Sequence, residues 1–397
     1  MKLGGDKMNK NLKKWLIDKD INDIGKILSE TSSMFYYSLD QQRNMRLNAI
    51  KKAFKFHYDN NAFYHEYCVK QGVSPIDINK YDDLYNIPLI PVEYFEQGYS
   101  KEIMTLPYNY KQLEFHETGI LGQHAVAYRD SVTNEYSIIG LSQMFMELFD
   151  MRLDVSPIVV YFTPSLLEAP NLGMLRALSI LGSMYAASVY AIDGKNLKFK
   201  EIFDYIVANK NVAPIYIVAP PFVLDLFMDY MQINHLSLKL NASARIITSG
   251  GWKKNNGQLI FKESLIDKCM SLLGVDRDQI RDTYGIIETN LFAIECKKQE
   301  MHISPYVEVY LRDINNNFHL QSDANGIGLL SILDPSMISY PGFVLTQDVA
   351  LLKYNCNCER QSAVVQIIGR KPQTTDNNCA ITLDRYLSGI SSQMKFE

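Results

Sequence analysis

The chain of 397 residues contains no Gly-x-Ser-x-Gly elbow, no His-Glu-x-x-His helix and no Walker-type loop, which leaves hydrolase, zincin and P-loop chemistry unsupported. It also lacks charge of one sign. Forty basic residues against 44 acidic give a net charge of -4, and nothing electrostatic argues for nucleic acid or an anionic membrane as partner. No apolar run reaches the roughly 20 residues of a spanning helix. The longest, Leu178 to Ile192, follows Arg176 and reads as a buried helix end continued by a strand. Cysteine is sparse and scattered, at Cys68, Cys269, Cys296, Cys356, Cys358 and Cys379. The lysine-rich stretch Met1 to Asp20 has no apolar run of the kind a secretory segment carries, so the expected location is a reducing cytoplasm.

What is present is a chain long enough for one large α/β core with additions. From Asn9 to about Gly72 apolar residues recur at helical spacing (Trp15, Ile17, Ile21, Ile24, Ile27, Leu28), followed by an aromatic stripe that reads as core. Pro88 and Pro91 forbid a helix at Ile87 to Val92 and predict an extended crossing segment. From Pro157 strand and helix alternate: Ile158 to Phe162, Leu172 to Leu181, Ala186 to Ala191, Phe199 to Asn209, Ile215 to Ala219 and Phe222 to Met231. That rhythm predicts a doubly wound parallel sheet. After Glu295 the elements turn strand-rich (Tyr306 to Leu311, Gly328 to Leu333, Val344 to Leu352, Ala363 to Ile368). The expected organisation is a helical part at 9–110, an α/β core at 111–295, a β-rich subdomain at 296–368 and a short tail at 369–397.

The chain is organised around Ala244 to Thr289. Two strand-like runs, Ala244 to Thr248 and Gln279 to Tyr284, flank a helix expected from about Gly257 to Leu273. Each run ends in glycine, Gly250-Gly251 and Gly285, with Glu288 three residues further on. The carboxyl ends of parallel strands open onto the crevice where ligands sit, and glycine lets backbone approach closely. This stretch therefore reads as the floor of a nucleotide or acyl-phosphate site.

Other segments carry weaker signals. Phe115-His-Glu-Thr-Gly-Ile-Leu-Gly122 could present backbone N–H groups to phosphate, although a plain hairpin turn reads equally well. Glu288 could cap a helix or hold Mg2+ beside phosphates. Asp348 could accept from two ribose hydroxyls or be a solvated edge carboxylate. Cys356-Asn-Cys358 has the form of half a zinc site, but no second cysteine or histidine pair stands at suitable spacing, and Cys296 with Met301-His302 is too sparse. His302 is expected as a satisfied partner in a loop. The aromatic and methionine residues of Met144 to Met151 and Pro220 to Met231 could line an apolar pocket or fill helix cores.

Taken in order, from roughly Ile24 to Leu383, these segments resemble adenylate-forming enzymes, and most closely the acyl-protein synthetases of the LuxE type alongside phenylacetate-CoA ligase-like proteins. Thr118, Gly119 and Gly122 occupy the place of the family's phosphate loop. Ser249-Gly250-Gly251-Trp252-Lys253 is similar to its glycine-rich adenine wall. Asp282-Thr-Tyr284-Gly285-Ile-Ile-Glu288 is similar to its tyrosine-glycine-glutamate motif, with Tyr284 against adenine and Glu288 toward Mg2+. Thr346-Gln-Asp348 matches the motif whose aspartate holds the ribose, and Ile368-Gly-Arg370 matches the hinge arginine. Cys296 with His302 and Pro305, and Cys356 and Cys358 with Arg360, are similar to lesser signatures.

The resemblance implies an α/β fold with an adenylate-forming-type large domain and a truncated C-terminal part. It implies ATP and Mg2+ as cofactors and a carboxylic acid, in the first instance a fatty acid, as substrate. The acid would become an acyl-adenylate, a mixed anhydride that a thiolate attacks without further activation. Cys379, nine residues after Arg370, is the candidate acceptor, and an inert tail cysteine is the alternative. An acyl reductase or acyl-carrier protein would be the partner. Three departures stand against this. Ile120 and Leu121 replace hydroxyl residues of the phosphate loop, and Ile287 replaces a threonine. They leave open a catalytically weak relative acting as an acyl-binding or scaffolding subunit. An aryl- or acyl-CoA ligase is a further alternative, disfavoured by the short tail.

Overall fold

The structure, a computed structural model, describes residues 2–21, 23–118, 124–151, 155–185, 187–194, 196–252, 259–315, 320 and 326–371. Gly119, Ile120, Leu121, Gly122, Lys253 and Cys379 lie outside them, and Thr118 is described only as backbone.

Sixteen strands are described. In chain order they are β1 (Ile90–Pro91), β2 (Leu113–Thr118), β3 (His124–Arg129), β4 (Ile158–Tyr161), β5 (Ala187–Tyr190), β6 (Ile192–Asp193), β7 (Asn196–Leu197), β8 (Ile215–Ala219), β9 (Arg245–Ser249), β10 (Ile280–Gly285), β11 (Phe292–Glu295), β12 (Met301–Ile303), β13 (Glu308–Arg312), β14 (Ile327–Leu333), β15 (Phe343–Lys353) and β16 (Val364–Arg370). Twelve of them form one sheet, ordered β13-β14-β15-β16-β12-β11-β10-β9-β8-β4-β5, with β1 added alongside β15.

The half from β5 to β10 is parallel, as the alternating pattern predicts. Strands β4, β8 and β9 are buried along their whole length, because helices cover both faces, and this is why β4 and β8 read as continuous apolar runs. One face packs on the helices Phe199–Asn209, Pro221–Ile233 and Lys262–Leu273. The other packs on Ser131–Leu148 and Gly173–Ser183. Asp130 starts the first of these two by accepting from the N–H groups of Val132 and Thr133. The segment between β9 and β10 becomes helical only at Lys262, and Gly274, at φ +63°, ends that helix in the left-handed conformation.

The strands after Glu295 form no sheet of their own. β11 and β12 turn the sheet antiparallel and pass it to β16, so the strands of 296–368 extend the same hydrogen-bonded surface. The helical N-terminal part then shares a core with them. Leu16, Ile50, Phe54 and Tyr64 cluster with Val309, Leu330, Ile332 and Phe343. The prolines at 88 and 91 do give an extended crossing, since Ile90 pairs with Val344 in parallel.

Candidate active site

Parallel pairing of β9 with β10 sets Thr248 beside Asp282 and Ser249 beside Thr283. The two glycine turns therefore open onto one cavity of about 1040 Å³. Its polar end is lined by Ser249, Gly250, Gly251, Trp252, Asp282, Tyr284, Gly285, Asp348 and Arg370. Gly250 sits at φ +102°, where a side chain would be strained. At Gly285 a Cβ would stand 2.9 Å from the Phe292 ring.

Asp348 comes from the far wall. It lies in β15 between β14 and β16, so it is no edge carboxylate, and it is 6 % exposed. Its Oδ2 accepts from the Tyr284 hydroxyl at 2.6 Å and its Oδ1 from Arg370 Nε at 3.1 Å. A carboxylate has about four acceptor positions, so two remain for vicinal hydroxyls of a ligand. Burial, and then the Asp348 charge, push the Tyr284 hydroxyl well above its ordinary value, which keeps it a donor.

Asp282 is engaged within the fold. It accepts from Thr248 Oγ1 at 2.7 Å and from Trp252 Nε1 at 3.0 Å, and Lys262 Nζ lies 3.7 Å away. Lys262 also meets Glu295, whose other oxygen accepts from the Asp282 amide at 2.8 Å. Burial raises both acids above the usual carboxylate range and Lys262 draws them back. Neither Lys262 nor Glu295 is flagged by a motif in the sequence. The pairing of β10 with β11 brings Glu295 to Asp282, and the start of the helix Lys262–Leu273 brings Lys262.

Glu288 caps no helix, because 286–290 is turn and bend. It is 3 % exposed, does not line the cavity, and lies close enough to Arg129 and Tyr340 to influence their ionisation. In this geometry it does not fit a Mg2+ ligand of the cavity. Arg129, which no motif announces, holds the turn instead. Its guanidinium donates to the carbonyls of Ile287 at 2.8 Å and Thr289 at 2.6 Å, and lies over the Phe115 ring. Phe115 belongs to a regular hairpin of β2 with β3, which reaches Thr118 opposite His124.

The helix-lined end of the cavity presents the apolar Ile138 and Leu141 of one helix and Met174, Ala177 and Ile180 of the next, beside the polar Ser137, Arg176 and Ser179. This corrects the alternative that Met144 to Met151 and Pro220 to Met231 line a pocket. Met144, Phe145, Phe227, Met228 and Met231 are fully buried in helix cores.

With that geometry in place, residues 9–388 match the family model described as acyl-protein synthetase, LuxE. The chain belongs to that family. The chain is 26% identical over 351 residues to the long-chain-fatty-acid--luciferin-component ligase of Aliivibrio fischeri, covering 87% of this chain and 90% of that one. It is 24% identical over 355 residues to the ligase of the same name from Vibrio harveyi, covering 88% and 90%. Among solved structures it is similar to 2-hydroxyisobutyryl-CoA ligase in complex with 2-HIB-AMP and CoA in the thioesterification state. The TM-score is 0.67 at 12% identity, over 85% of this chain and 70% of that one. An open conformation of that ligase gives 0.65, over 85% and 76%. The chain thus shares the fold of that CoA ligase.

A second cluster corrects the sequence reading. Cys356 and Cys358 do have a second pair: Cys296 and His302, brought beside them by β12 and β16. His302 stands on a strand, with Nδ1 against Ser362 Oγ at 2.8 Å. A spacing of more than 50 residues between the pairs hid this from a motif search.

Proposed function

We propose that this chain uses ATP to convert a fatty carboxylic acid into an acyl-adenylate and passes the acyl group to a thiol. The observation that carries the reading is one cavity with a hydroxyl-accepting end at Asp348 and Tyr284 and an apolar end at Leu141, Ala177 and Ile180, in a member of the acyl-protein synthetase family. ATP supplies the leaving group and, once cleaved, the activating adenylyl group. Asp348 would hold the ribose hydroxyls and Tyr284 would flank the adenine. The backbone at Ser249, Gly250, Gly251 and Gly285 would form the wall against which the base lies, with Arg370 fixing Asp348. Thr118, Gly119 and Gly122 would face the phosphates. A Mg2+ role for Glu288 would require the 286–290 turn to rearrange.

The large domain would span 9–368, and the tail 369–397 would bring Cys379 to the adenylate. Its thiolate attacks the acyl carbon, the bond to the adenylate oxygen breaks, and AMP leaves. The curated relatives are named for long-chain fatty acids, which fits the apolar end, and an acyl reductase or acyl carrier is the proposed recipient. ATP–pyrophosphate exchange with a panel of short, long and aromatic acids tests the reading, with exchange expected for long acids. Hydroxylamine-sensitive acyl labelling should vanish in Cys379→Ser. Absence of exchange with every acid, from a folded chain, would favour an acyl-binding subunit. Ile287 gives that second reading its footing, because an apolar side chain packed against Gly173 stands where the superfamily places a hydroxyl.

A further inference from the structure

The side chains of Cys296, His302, Cys356 and Cys358 point their donor atoms at one another, and all four ligand atoms lie within 4.8 Å. Cys296 Sγ is 3.7 Å from Cys356 Sγ, and His302 Nε2 is 3.2 Å from Cys358 Sγ. Around a tetrahedral ion with metal–sulfur bonds of about 2.3 Å, two sulfurs stand about 3.8 Å apart. A disulfide needs about 2.05 Å, and all of the described cysteines are free. The surroundings complete the pattern. Ser362 fixes the imidazole through Nδ1, which leaves Nε2 directed at the sulfurs. The Lys298 amide donates to Cys296 Sγ at 3.3 Å. Arg360, held by Glu147, also contacts Cys358 and places a positive charge beside the sulfurs.

We infer that Cys296, His302, Cys356 and Cys358 form a structural zinc site that bolts the β11–β12 hairpin to the β15–β16 hairpin. Three thiolates and one imidazole form a closed four-coordinate set, the donor choice of a structural rather than catalytic zinc. Binding releases up to three thiol protons to solvent and involves no oxidation. With three thiolates the site carries one net negative charge, which Arg360 offsets. Its place in the fold gives it a task. Strands β13 to β16 meet the rest of the sheet through β12 and β16, whose paired register is the single position His302–Val364. Two ligands come from the β11–β12 hairpin and two from the turn between β15 and β16, so the ion spans this seam. Glu300, Met301, Val365 and Ile367 of the same two hairpins line the cavity. The ion therefore stiffens one cavity wall without entering it, and the inference is independent of the proposed reaction.

The test is elemental analysis of the full chain produced in zinc-replete medium and dialysed extensively. About one zinc per chain is expected, released in step with mercurial titration of the thiols. Cobalt added to metal-stripped protein should give the visible bands of tetrahedral Co2+ bound to thiolates. Cys356→Ser with Cys358→Ser should lose the zinc, and the unaltered chain should melt at lower temperature after chelation. Folded protein without stoichiometric zinc, whose cysteines react freely with a thiol reagent and whose melting is unmoved by zinc, would overturn the inference. So would another metal at full occupancy. If the double variant fails to fold, the mercurial and cobalt measurements on the unaltered chain still decide.

Discussion

The hydroxyl of Tyr284 reaches 2.6 Å across the cleft to Asp348, joining the end of β10 to the middle of β15. Two strands 64 positions apart thereby fix one carboxylate, with Arg370 as its second anchor. In the proposed function the ribose would bind at this pair, both members of which line the cavity.

Tyr284→Phe removes that donor while keeping the ring. A hydrogen bond to a charged group contributes about 1.5 to 3 kcal/mol, so kcat/KM for ATP in the exchange reaction should fall about ten- to a hundredfold. Thermal melting should fall as well, because the same bond is part of the folded protein. A variant with unaltered kcat/KM would remove Asp348 from the nucleotide site.

Lys262→Met leaves Asp282 and Glu295 buried together without their cation. In the unaltered protein both acids have raised values, so their contribution to stability is fully present below the ordinary carboxylate range and is lost as pH rises through the folded values. Lys262 is raised as well, and its contribution persists up to the ordinary lysine range. Removing it lets both acids rise further. The stability lost in the variant should therefore be small near pH 4 and grow toward about pH 8. Urea titrations at several pH values measure this, and a pH-independent loss would contradict it.

Arg129→Met deprives the carbonyls of Ile287 and Thr289 of their donor and strips the neighbouring buried acids of a counter-charge. Breaking such a buried group typically costs about 3 to 5 kcal/mol, to be read from denaturant unfolding. Arg129→Lys should recover only part of it, because an ammonium cannot reproduce the fork that serves two carbonyls.

How much of this is visible in the sequence divides by the range of the interaction. Helix and strand periodicity placed Phe199–Asn209 and Ile215–Ala219 to the residue, since both depend on local burial. The glycine turns at Gly250 and Gly285 were legible because backbone needs there leave a residue-type trace. The short strands β11 and β12 were not, being too brief to show a period. Everything they assemble was hidden with them: Glu295 against Asp282, the four-ligand cluster around His302, and the continuity of strands 296–368 with the parallel half. Arg129 was equally silent, since its partners, the carbonyls of Ile287 and Thr289 and the side chain of Asn290, lie about 160 positions away.

Leu141→Trp should fill the apolar end, where Leu141 lines the cavity beside Ile180. Each methylene that loses its place costs about 1 to 3 kcal/mol in discrimination. The exchange reaction should then shift toward shorter acids by an order of magnitude or more in relative kcat/KM. An unchanged profile across chain lengths would place the acyl chain elsewhere.

Oxygen bookkeeping tests the central claim most directly. In adenylate formation a carboxylate oxygen of the acid bonds to the α-phosphorus of ATP as the bond to pyrophosphate breaks, and that oxygen stays with AMP when the thiol takes the acyl group. Acid labelled with 18O in both carboxylate oxygens should therefore give AMP carrying one labelled oxygen, and labelled AMP should fail to form in Asp348→Ala. Unlabelled AMP, or label recovered in inorganic phosphate together with ADP, would contradict the account.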